Sequence, residues 1–530
     1  MNPLACRARL RSTRIRAPWQ RLSAACAALA LSASGLAASP AGTPEFYVDV
    51  VNGSDTSGNG SASAPWKTIK FALNSTVEPR LLHLAAGTYS SASGEVFPLS
   101  LSARTSLRGA GQGQTVLSAP TPDWLVEAQS AQFSPPAEHP ILEGLTLRGA
   151  EVGVRAHGIS NAQGIVSVEF DALGIGVLLS YGSYNTLSLS RVRIHDCGIG
   201  ARMQQVLIGS LTVTDSSIEA CGTGLKMDAG STGSGLVGHS LTFTRSVLRD
   251  CALGIDLSHG SNLAVSASFN DSLLTGLDQV GRIVGNSASG QAALSLVRST
   301  ATANTTFVDV TTQGFASIAL SGAIVWNSGA GGGLDPDASW YVEHSDVEVP
   351  VGGSGNLSVD PQFDAQHPTQ FRLSAGSPLV DRYTPSGPGP TYGTDFEGDI
   401  RALDFDGDGA ALVDIGWDER TRLVLTASGP ALLGSTLTLT THAGAAMPAC
   451  TFLAGAPAAL PLDLGNWILI DLAGAVLLGC GTTPLSVGLS VPGVPSLSGL
   501  RAYAQSGGLP QAGAFAAALQ ASNALALEVR

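Results

Sequence analysis

"VRIHDCGIGARMQ" (192–204) and "SSIEACGTGLKMD" (216–228) are two copies of a repeat that decides the fold of this chain. Three further copies read "LTLRGAEVGVRAH" (145–157), "VEFDALGIGVLLS" (168–180) and "SVLRDCALGIDLS" (246–258). They align on Gly153, Gly176, Gly200, Gly224 and Gly254, mostly 24 residues apart. Short strands that recur at this period cannot bury a face alone, but they can when each turn stacks on the last. The repeat therefore predicts an all-β, right-handed parallel β-helix.

Aligned columns of the repeat predict which side chains face inward. One apolar column holds Leu147, Phe170, Ile194, Ile218 and Leu248. A second apolar column consists of the residue that directly follows each aligned glycine. A third column holds Cys197, Cys221 and Cys251, which we interpret as small apolar residues in a stack. A disulfide between neighbouring coils is the alternative.

Residues 1–38 are predicted to be a signal peptide. Six Arg and no acidic residue precede a small-residue apolar run, and "GLAASPA" offers a cleavage site. The run is shorter than the ~20 residues that span a bilayer. Removing the segment changes the formal net charge from −13 to −19. This balance argues against a nucleic-acid partner and predicts a protein that is secreted or exposed at a bacterial cell surface.

The chain divides into two domains after residue 38, and the first has three regions. A β-helix is expected over 45–419, with an N-terminal cap region at 45–120, coils at 121–355 and an Asp/Gly-rich end at 356–419. "PWKTIKFALNS" (65–75) predicts a capping helix, and "VDIGW" (413–417) a last strand. Residues 421–530 alternate apolar and polar residues and predict a small antiparallel β-sandwich without a transmembrane segment. Cys450 and Cys480 in this part are candidates for a disulfide.

Several segments in order resemble a known family. "FYVDVVNGSDTSGNGSASAPWKTIKFAL" (46–73) and "LRGAGQGQTVL" (107–117) resemble the DUF1565 region of secreted pectin-lyase-like proteins. "GNLSVDPQFD" (355–364) and "TDFEGDIRALDFDGDGAALVDIGWDE" (394–419) resemble β-helix proteins with a choice-of-anchor Q domain. The last ~110 residues loosely resemble C-terminal β-domains of secreted planctomycete proteins. The resemblance implies a parallel β-helix, and relatives that include polysaccharide lyases and hydrolases.

Two outward clusters are candidates for chemistry. A lyase of this kind uses calcium and a basic side chain as proton acceptor, for which Lys226, Arg202, Asp228 and Asp256 are the candidates. A hydrolase needs two carboxylates, and Asp171, His195, Glu219 and Arg249 share an outward column beside Asp196 and Asp250. For both clusters, a solvated ladder of opposite charges on stacked strands is the alternative.

Asp404, Asp406 and Asp408 have the spacing of a calcium loop, with Asp414 as a further candidate ligand. Three close carboxylates would repel one another unless a cation lay between them. Ile415 stands where an EF-hand requires Glu, so we expect a structural Ca²⁺ clasp, or else a solvated turn.

The sequence leaves three functions open. The first is a secreted, non-catalytic β-helix that binds polysaccharide or a cell-surface partner. The others are a lyase or hydrolase acting on an acidic polysaccharide, and a purely structural surface protein. Aromatic residues make up 6% of the chain, which counts against a sugar-stacking cleft.

Overall fold

The computed structural model shows a parallel β-helix followed by antiparallel sheets, as predicted. The residues that it describes are 43–102, 104–119, 124–129, 140–159, 163–180, 184–204, 206, 208–229, 237–260, 263–285, 287–329, 334–365, 371–374, 376–384, 395, 401, 412–419, 423–429, 431–443, 448–455, 457–463, 466–470, 475–482, 485–494, 497–508 and 520–529. The predicted signal peptide and Asp404, Asp406 and Asp408 lie outside these residues. No helix in the described part is long and apolar enough to cross a membrane.

In the described residues the coils build three parallel sheets, named A, B and C in chain order, and most coils contribute one strand to each. Sheet A has twelve strands: Glu45–Val48, Arg80–Leu84, Thr105–Arg108, Leu142–Glu143, Gln163–Val166, Tyr184–Ser190, Ile208–Thr214, Val237–Thr244, Leu263–Asn270, Gln291–Val297, Phe315–Ser321 and Ser339–Glu343. Sheet B has eleven: Gly87–Ser90, Thr115–Ser118, Thr146–Arg148, Glu169–Asp171, Arg193–His195, Ser217–Glu219, Val247–Arg249, Leu273–Thr275, Thr300–Thr302, Ile324–Trp326 and Asp346–Val347. Sheet C has nine: Leu99–Leu101, Trp124–Gln129, Val152–His157, Ile175–Ser180, Ile199–Gln204, Thr223–Ala229, Leu253–His259, Gln279–Gly285 and Thr306–Thr312. Coiling therefore begins at Glu45, inside the region expected to form the cap.

The two sharp bends of a coil are each made by one residue with positive φ. At the bend from sheet A to sheet B these residues include Arg191, Asp215, Arg245, Asp271 and Arg298. At the bend from sheet B to sheet C they include Ala172, Asp196, Ala220, Asp250 and Ala303. Because the left-handed region turns the chain within one residue, the strands of sheet B can be only two to four residues long.

The aligned glycines bring neighbouring coils into close contact. A Cβ atom on Gly176 would lie 2.5 Å from the carbonyl oxygen of Gly200, and a Cβ on Gly200 would lie 2.5 Å from that of Gly224. Glycine is therefore required in this column, because the backbone of the next coil leaves no room for a side chain.

A ladder of buried serines lines the bend between sheets A and B. Ser216 N donates to Ser246 Oγ at 3.0 Å, Ser246 N to Ser272 Oγ at 3.3 Å, and Ser272 N to Ser299 Oγ at 3.2 Å. Each hydroxyl also donates to the carbonyl two residues earlier, as Ser246 Oγ does to Thr244 O at 2.8 Å. The ladder satisfies bend amides that sheet pairing cannot reach.

The cysteine column lies at the bend between sheets B and C, as the serine ladder lies at the bend between sheets A and B. Cys197, Cys221 and Cys251 are buried and carry free thiols, as the stack interpretation predicted. Cys197 Sγ donates to His195 O at 3.3 Å, and Cys251 Sγ donates to Arg249 O at 3.3 Å. The thiols thus act as small core residues that also donate a hydrogen bond to the backbone carbonyl two residues earlier.

The helix predicted at 65–75 is confirmed as Ile69–Ser75. It buries Ile69, Ala72 and Leu73 in the core shared with the coils. Glu95 accepts hydrogen bonds from Ile69 N at 2.7 Å and Lys70 N at 2.9 Å, so a buried carboxylate satisfies the free amides at the helix start.

The C-terminal strands are antiparallel. One sheet has Leu423–Ala427, Thr436–Ala443 and Leu485–Ser490, a second has Val476–Thr482, Pro448–Ala454, Arg501–Gly508 and Gln520–Glu528, and a hairpin has Pro457–Asp463 and Asn466–Ile470. Residues from the first two sheets fill one small core that includes Leu425, Leu439, Ala504 and Leu527. Cys450 and Cys480 face each other on paired strands and form a disulfide with their Cα atoms 4.0 Å apart.

The interpretation of "VDIGW" as a last strand of the β-helix is wrong. Val413 instead forms an isolated antiparallel bridge with Tyr383, and Ile415 and Trp417 are buried. The parallel ladder of the described residues ends at Asp346–Val347.

Candidate functional site

The lyase candidates of the sequence come together on the outward face of sheet C. Arg202, Lys226, Asp256 and Arg282 occupy aligned positions on four successive strands, and Asp228 lies two residues beyond Lys226. These five residues are called the sheet C charge row. Side chains two apart on a strand share a face, which is why the repeat alone located four of the five.

Hydrogen bonds and ion pairs connect all five members of the sheet C charge row. Arg202 Nη2 lies 2.7 Å from Asp228 Oδ2, and Arg282 Nη2 lies 2.7 Å from Asp256 Oδ2. Lys226 Nζ is 3.6 Å from Asp228 Oδ1 and 3.3 Å from Asp256 Oδ2. The hydrogen bonds that Arg282 donates to Asp256 raise the pKa of Arg282. All three cations are thus held in place by two carboxylates.

The arrangement does not suit proton abstraction by Lys226. A general base must reach the proton that it removes. Lys226 Nζ instead lies between two carboxylates of the row itself, Asp228 and Asp256. The five side chains therefore form one connected set of ion pairs.

The same face continues toward the N-terminus with residues that the sequence did not reveal. The Arg155 guanidinium lies over the ring of Trp124, 4.6 Å from its centroid, in a cation–π contact. Glu127 Oε1 lies 3.9 Å from Arg155 Nη1 and 3.3 Å from His157 Nε2. The register places one outward row along the sheet: Glu127, Arg155, Leu178, Arg202, Lys226, Asp256, Arg282 and Asp309. Glu127 and Arg155 are 28 residues apart in the sequence, which departs from the period near 24 and hides this alignment from the repeat.

The hydrolase candidates lie on the outward face of sheet B. Asp171, His195, Glu219 and Arg249 are aligned on successive strands, as predicted. Glu219 accepts hydrogen bonds from Arg193 Nε at 2.5 Å and Arg249 Nη2 at 2.5 Å. We call the connected residues the sheet B network; its members are Arg148, Glu169, Asp171, Arg193, His195, Asp196, Glu219 and Arg249.

Both glutamates of the sheet B network are held in the ionised form. Burial acts to raise the pKa of Glu219, but the hydrogen bonds from Arg249 and Arg193 outweigh it and lower the pKa. The pKa of Glu169 is lowered in the same way, by hydrogen bonds from Thr146 and His195 that outweigh burial. Glycoside hydrolysis needs one carboxylic acid that keeps its proton. Neither glutamate meets that requirement.

His195 lies between carboxylates on both sides of its ring. Nε2 is 3.2 Å from Glu169 Oε1, and Nδ1 is 2.7 Å from Asp196 Oδ2 and 3.6 Å from Asp171 Oδ1. Burial would lower the pKa of His195, but the hydrogen bonds to Asp196 and Glu169 outweigh it and raise the pKa.

Asp414 is the one proposed calcium ligand that the structure describes. It is buried, its Oδ1 accepts a hydrogen bond from Asp381 N at 2.8 Å, and its amide donates to Glu419 Oε2 at 3.1 Å. Burial and the nearby Asp395 raise the pKa of Asp418 in the same cluster. Asp414 therefore lies within a buried group of acidic residues that includes Asp381, Asp395 and Asp418.

Part of the chain matches a known protein family. Residues 51–180 match the family described as "Protein of unknown function (DUF1565)". No curated protein matches the sequence. Among solved structures, a rhamnogalacturonan lyase is 14% identical, with a TM-score of 0.33 over 70% of this chain and 96% of its own. A catalytic unit of a GH87 α-1,3-glucanase from Streptomyces thermodiastaticus is 16% identical, with a TM-score of 0.35 over 62% and 71%.

A third solved structure is similar over a smaller share of this chain. An alginate lyase from Paenibacillus is 13% identical, with a TM-score of 0.25 over 52% of this chain and 97% of its own. At such low identity these likenesses concern the fold alone. The chain is a parallel β-helix protein whose residues 51–180 match the DUF1565 family.

Proposed function

We propose that the protein is secreted and binds an acidic polysaccharide along the outward face of sheet C, without catalysis. The observation that carries this proposal is the row of three cations, Arg202, Lys226 and Arg282, on three of four successive coils, with the buried Asp256 on the coil between the last two. Successive coils are about 4.8 Å apart, so three of the four steps along this part of the helix axis carry a positive charge. A linear polymer with repeated carboxylates presents anions along a line in the same way.

The exposure of the charges favours an anionic ligand. The side chains of Arg202, Lys226 and Arg282 are 29%, 25% and 43% exposed, whereas that of Asp256 is 2% exposed. The cations therefore meet solvent while the carboxylate that holds two of them lies beneath. Asp228 is 24% exposed, so the five residues of the row carry three cations and two carboxylates, a formal net charge of +1 on a chain that is acidic as a whole. Binding of an anion to the three cations should weaken as salt screens the charges.

The experiment tests the mature protein against uronate-containing and neutral polysaccharides by isothermal titration calorimetry at two salt concentrations. We expect binding to uronate polymers that weakens with salt, and at least about a tenfold loss, or 1.4 kcal/mol, for Lys226→Gln. Arg148→Gln, on the sheet B face, is the matched control and should bind like the wild type.

Two results would contradict the proposal. One is the lack of salt-sensitive uronate binding across the panel. The other is a new unsaturated uronate or new reducing ends after incubation, with or without calcium, since either would show a lyase or hydrolase.

Calcium binding by Asp404, Asp406, Asp408 and Asp414 stays a separate prediction. We expect the double variant Asp406→Asn/Asp408→Asn to lose any calcium-dependent rise of the melting temperature. Equal melting curves of the wild type with calcium and with chelator would contradict it.

A further inference from the structure

We propose that Asp171, His195 and Asp196 form a binding site for a transition-metal ion of the Zn²⁺ class on the outward face of sheet B. One ligand atom from each residue lies within 4.8 Å of the other two. The site lies on a different sheet from the charge row, so it does not depend on polysaccharide binding.

The ligand atoms converge because of how the coils stack. Asp171 and His195 are paired residues on neighbouring strands, and their side chains leave the same face. Asp196 follows at the bend with φ of 55°, which turns its carboxylate back toward the imidazole. As a result, His195 Nδ1 faces both Asp196 Oδ2 and Asp171 Oδ1, at 2.7 and 3.6 Å.

The surrounding residues orient the ligands as the second shell of a metal site does. A metal-bound His usually donates its other ring N–H to a carboxylate, which fixes the tautomer. His195 Nε2 lies 3.2 Å from Glu169 Oε1, and Glu169 itself accepts a hydrogen bond from Thr146 Oγ1 at 2.9 Å. A metal ion at this site would displace the Nδ1 proton to solvent and take its place between the imidazole and the two carboxylates, while Nε2 keeps its proton toward Glu169.

Asp171 is oriented in a similar way. Arg148 Nε donates to Asp171 Oδ2 at 2.6 Å, which leaves Oδ1 on the side of His195. Two of the three proposed ligands, Asp171 and His195, are partly buried. Each of them is therefore held by a hydrogen bond on the side that faces away from the proposed ion. Asp196 is 62% exposed and leaves the site open to ions from solvent.

The rest of the column shows that this arrangement is not an ordinary ladder of opposite charges. Neighbouring coils place Arg148 before Asp171, and Glu219 and Arg249 after His195. Those residues form Arg–carboxylate pairs, whereas His195 brings an imidazole among three carboxylates.

The donor set selects the class of metal. One imidazole nitrogen and two carboxylate oxygens suit Zn²⁺, Co²⁺ or Ni²⁺, and three protein ligands leave a fourth position for water. Ca²⁺ takes six to eight oxygen ligands and should bind here far more weakly.

The test is calorimetric titration of the metal-stripped full-length mature chain with ZnCl₂ alone. We expect one equivalent of Zn²⁺ to bind this site, with affinity at least tenfold lower in His195→Ala and in Asp196→Asn. Asp196 is exposed, so Asp196→Asn should fold like the wild type, and circular dichroism checks that it does. Co²⁺ should give visible absorption bands of a low-coordinate site in the wild type.

Asp250→Asn is the matched control. Asp250 occupies the same positive-φ bend position two coils later, but it follows Arg249 instead of a histidine. Its variant should bind Zn²⁺ like the wild type. The proposal is overturned if the wild type binds no stoichiometric Zn²⁺, if His195→Ala or Asp196→Asn keeps full affinity, or if Asp250→Asn loses as much.

Discussion

Arg401 Nη2 lies 2.9 Å from Asp271 Oδ1, so a segment beyond the last coil is ion-paired to a bend in the middle of the β-helix. Arg401 is fully buried and also donates to Trp417 O at 2.6 Å and Gly416 O at 3.1 Å. Its guanidinium is 3.6 Å from Glu419 Oε2. One side chain therefore connects the coil to the "DIGWDE" segment.

Replacing Arg401 by Gln should strongly destabilise the protein. Removing one partner of a buried ion pair leaves the other charge uncompensated, which costs about 3–5 kcal/mol. Urea denaturation followed by tryptophan fluorescence measures the change. Arg382→Gln, an exposed arginine of the same C-terminal segment, is the control and should change stability by less than about 0.5 kcal/mol. Equal losses in the two variants would contradict the role given to Arg401.

The buried carboxyl of Asp346 should make stability fall as pH rises. Burial raises the pKa of Asp346 to about 6, and among the described protein atoms its Oδ2 has no hydrogen-bond partner. The folded state binds this proton more tightly than the unfolded state does, so the contribution is favourable at low pH and is lost as pH rises through about 6.

Asp346→Asn removes that titration, because the amide stays neutral. Between pH 4 and pH 8, the unfolding free energy of the wild type should fall by about 2 kcal/mol relative to that of Asp346→Asn. Urea titrations at both pH values measure it, with the exposed Asp250→Asn as control. Parallel pH profiles of the wild type and Asp346→Asn would show that this carboxyl does not titrate as inferred.

The column of glycines shows why the fold could be predicted from the sequence. The positions of Gly176, Gly200 and Gly224 cannot vary, because the next coil's backbone occupies the place of a side chain. A constraint of this kind leaves glycine on five successive coils, from Gly153 to Gly254, and a repeat becomes visible. The Cys and apolar columns follow from the same stacking.

The serine ladder could not be predicted because serine is common in many environments. Ser216, Ser246, Ser272 and Ser299 form a column only in the observed register. Their spacings vary with the insertions between sheets C and A. The residue before each serine has positive φ, and that pattern of Asp and Arg carries no strong sequence signal.

The two outward clusters could be located but not interpreted from the sequence. The repeat aligned Arg202, Lys226 and Asp256, and it aligned Asp171 with His195. Which nitrogen of His195 faces which carboxylate depends on side-chain rotamers, which the spacing of residues does not determine. The metal site therefore required the structure.

Gly200→Ala should destabilise the β-helix by several kcal/mol. The new Cβ would lie 2.5 Å from Gly224 O and 2.9 Å from Ile218 Cγ2, so two stacked coils must separate. Overpacking of this kind costs about 1–3 kcal/mol or more. Thermal unfolding by circular dichroism measures the loss. Gly352→Ala, where no atom lies within 4 Å of the new Cβ, is the control; an equal effect there would show that glycine flexibility and not close approach is the cause.

Ser246→Ala should destabilise the protein through one backbone amide. The Ser246 hydroxyl accepts from Ser216 N at 3.0 Å and donates to Thr244 O at 2.8 Å, and the site is buried. Alanine leaves a buried donor without its acceptor, which costs about 1–3 kcal/mol. Hydrogen exchange should show faster exchange of the Ser216 amide, together with a lower denaturation midpoint. Ser240→Ala, on the outward face of sheet A, removes a hydroxyl whose one contact is a 3.4 Å bond to Gly209 O, and it should leave both readouts nearly unchanged. If Ser216 exchanges at the wild-type rate in Ser246→Ala, the ladder is not what protects the bend.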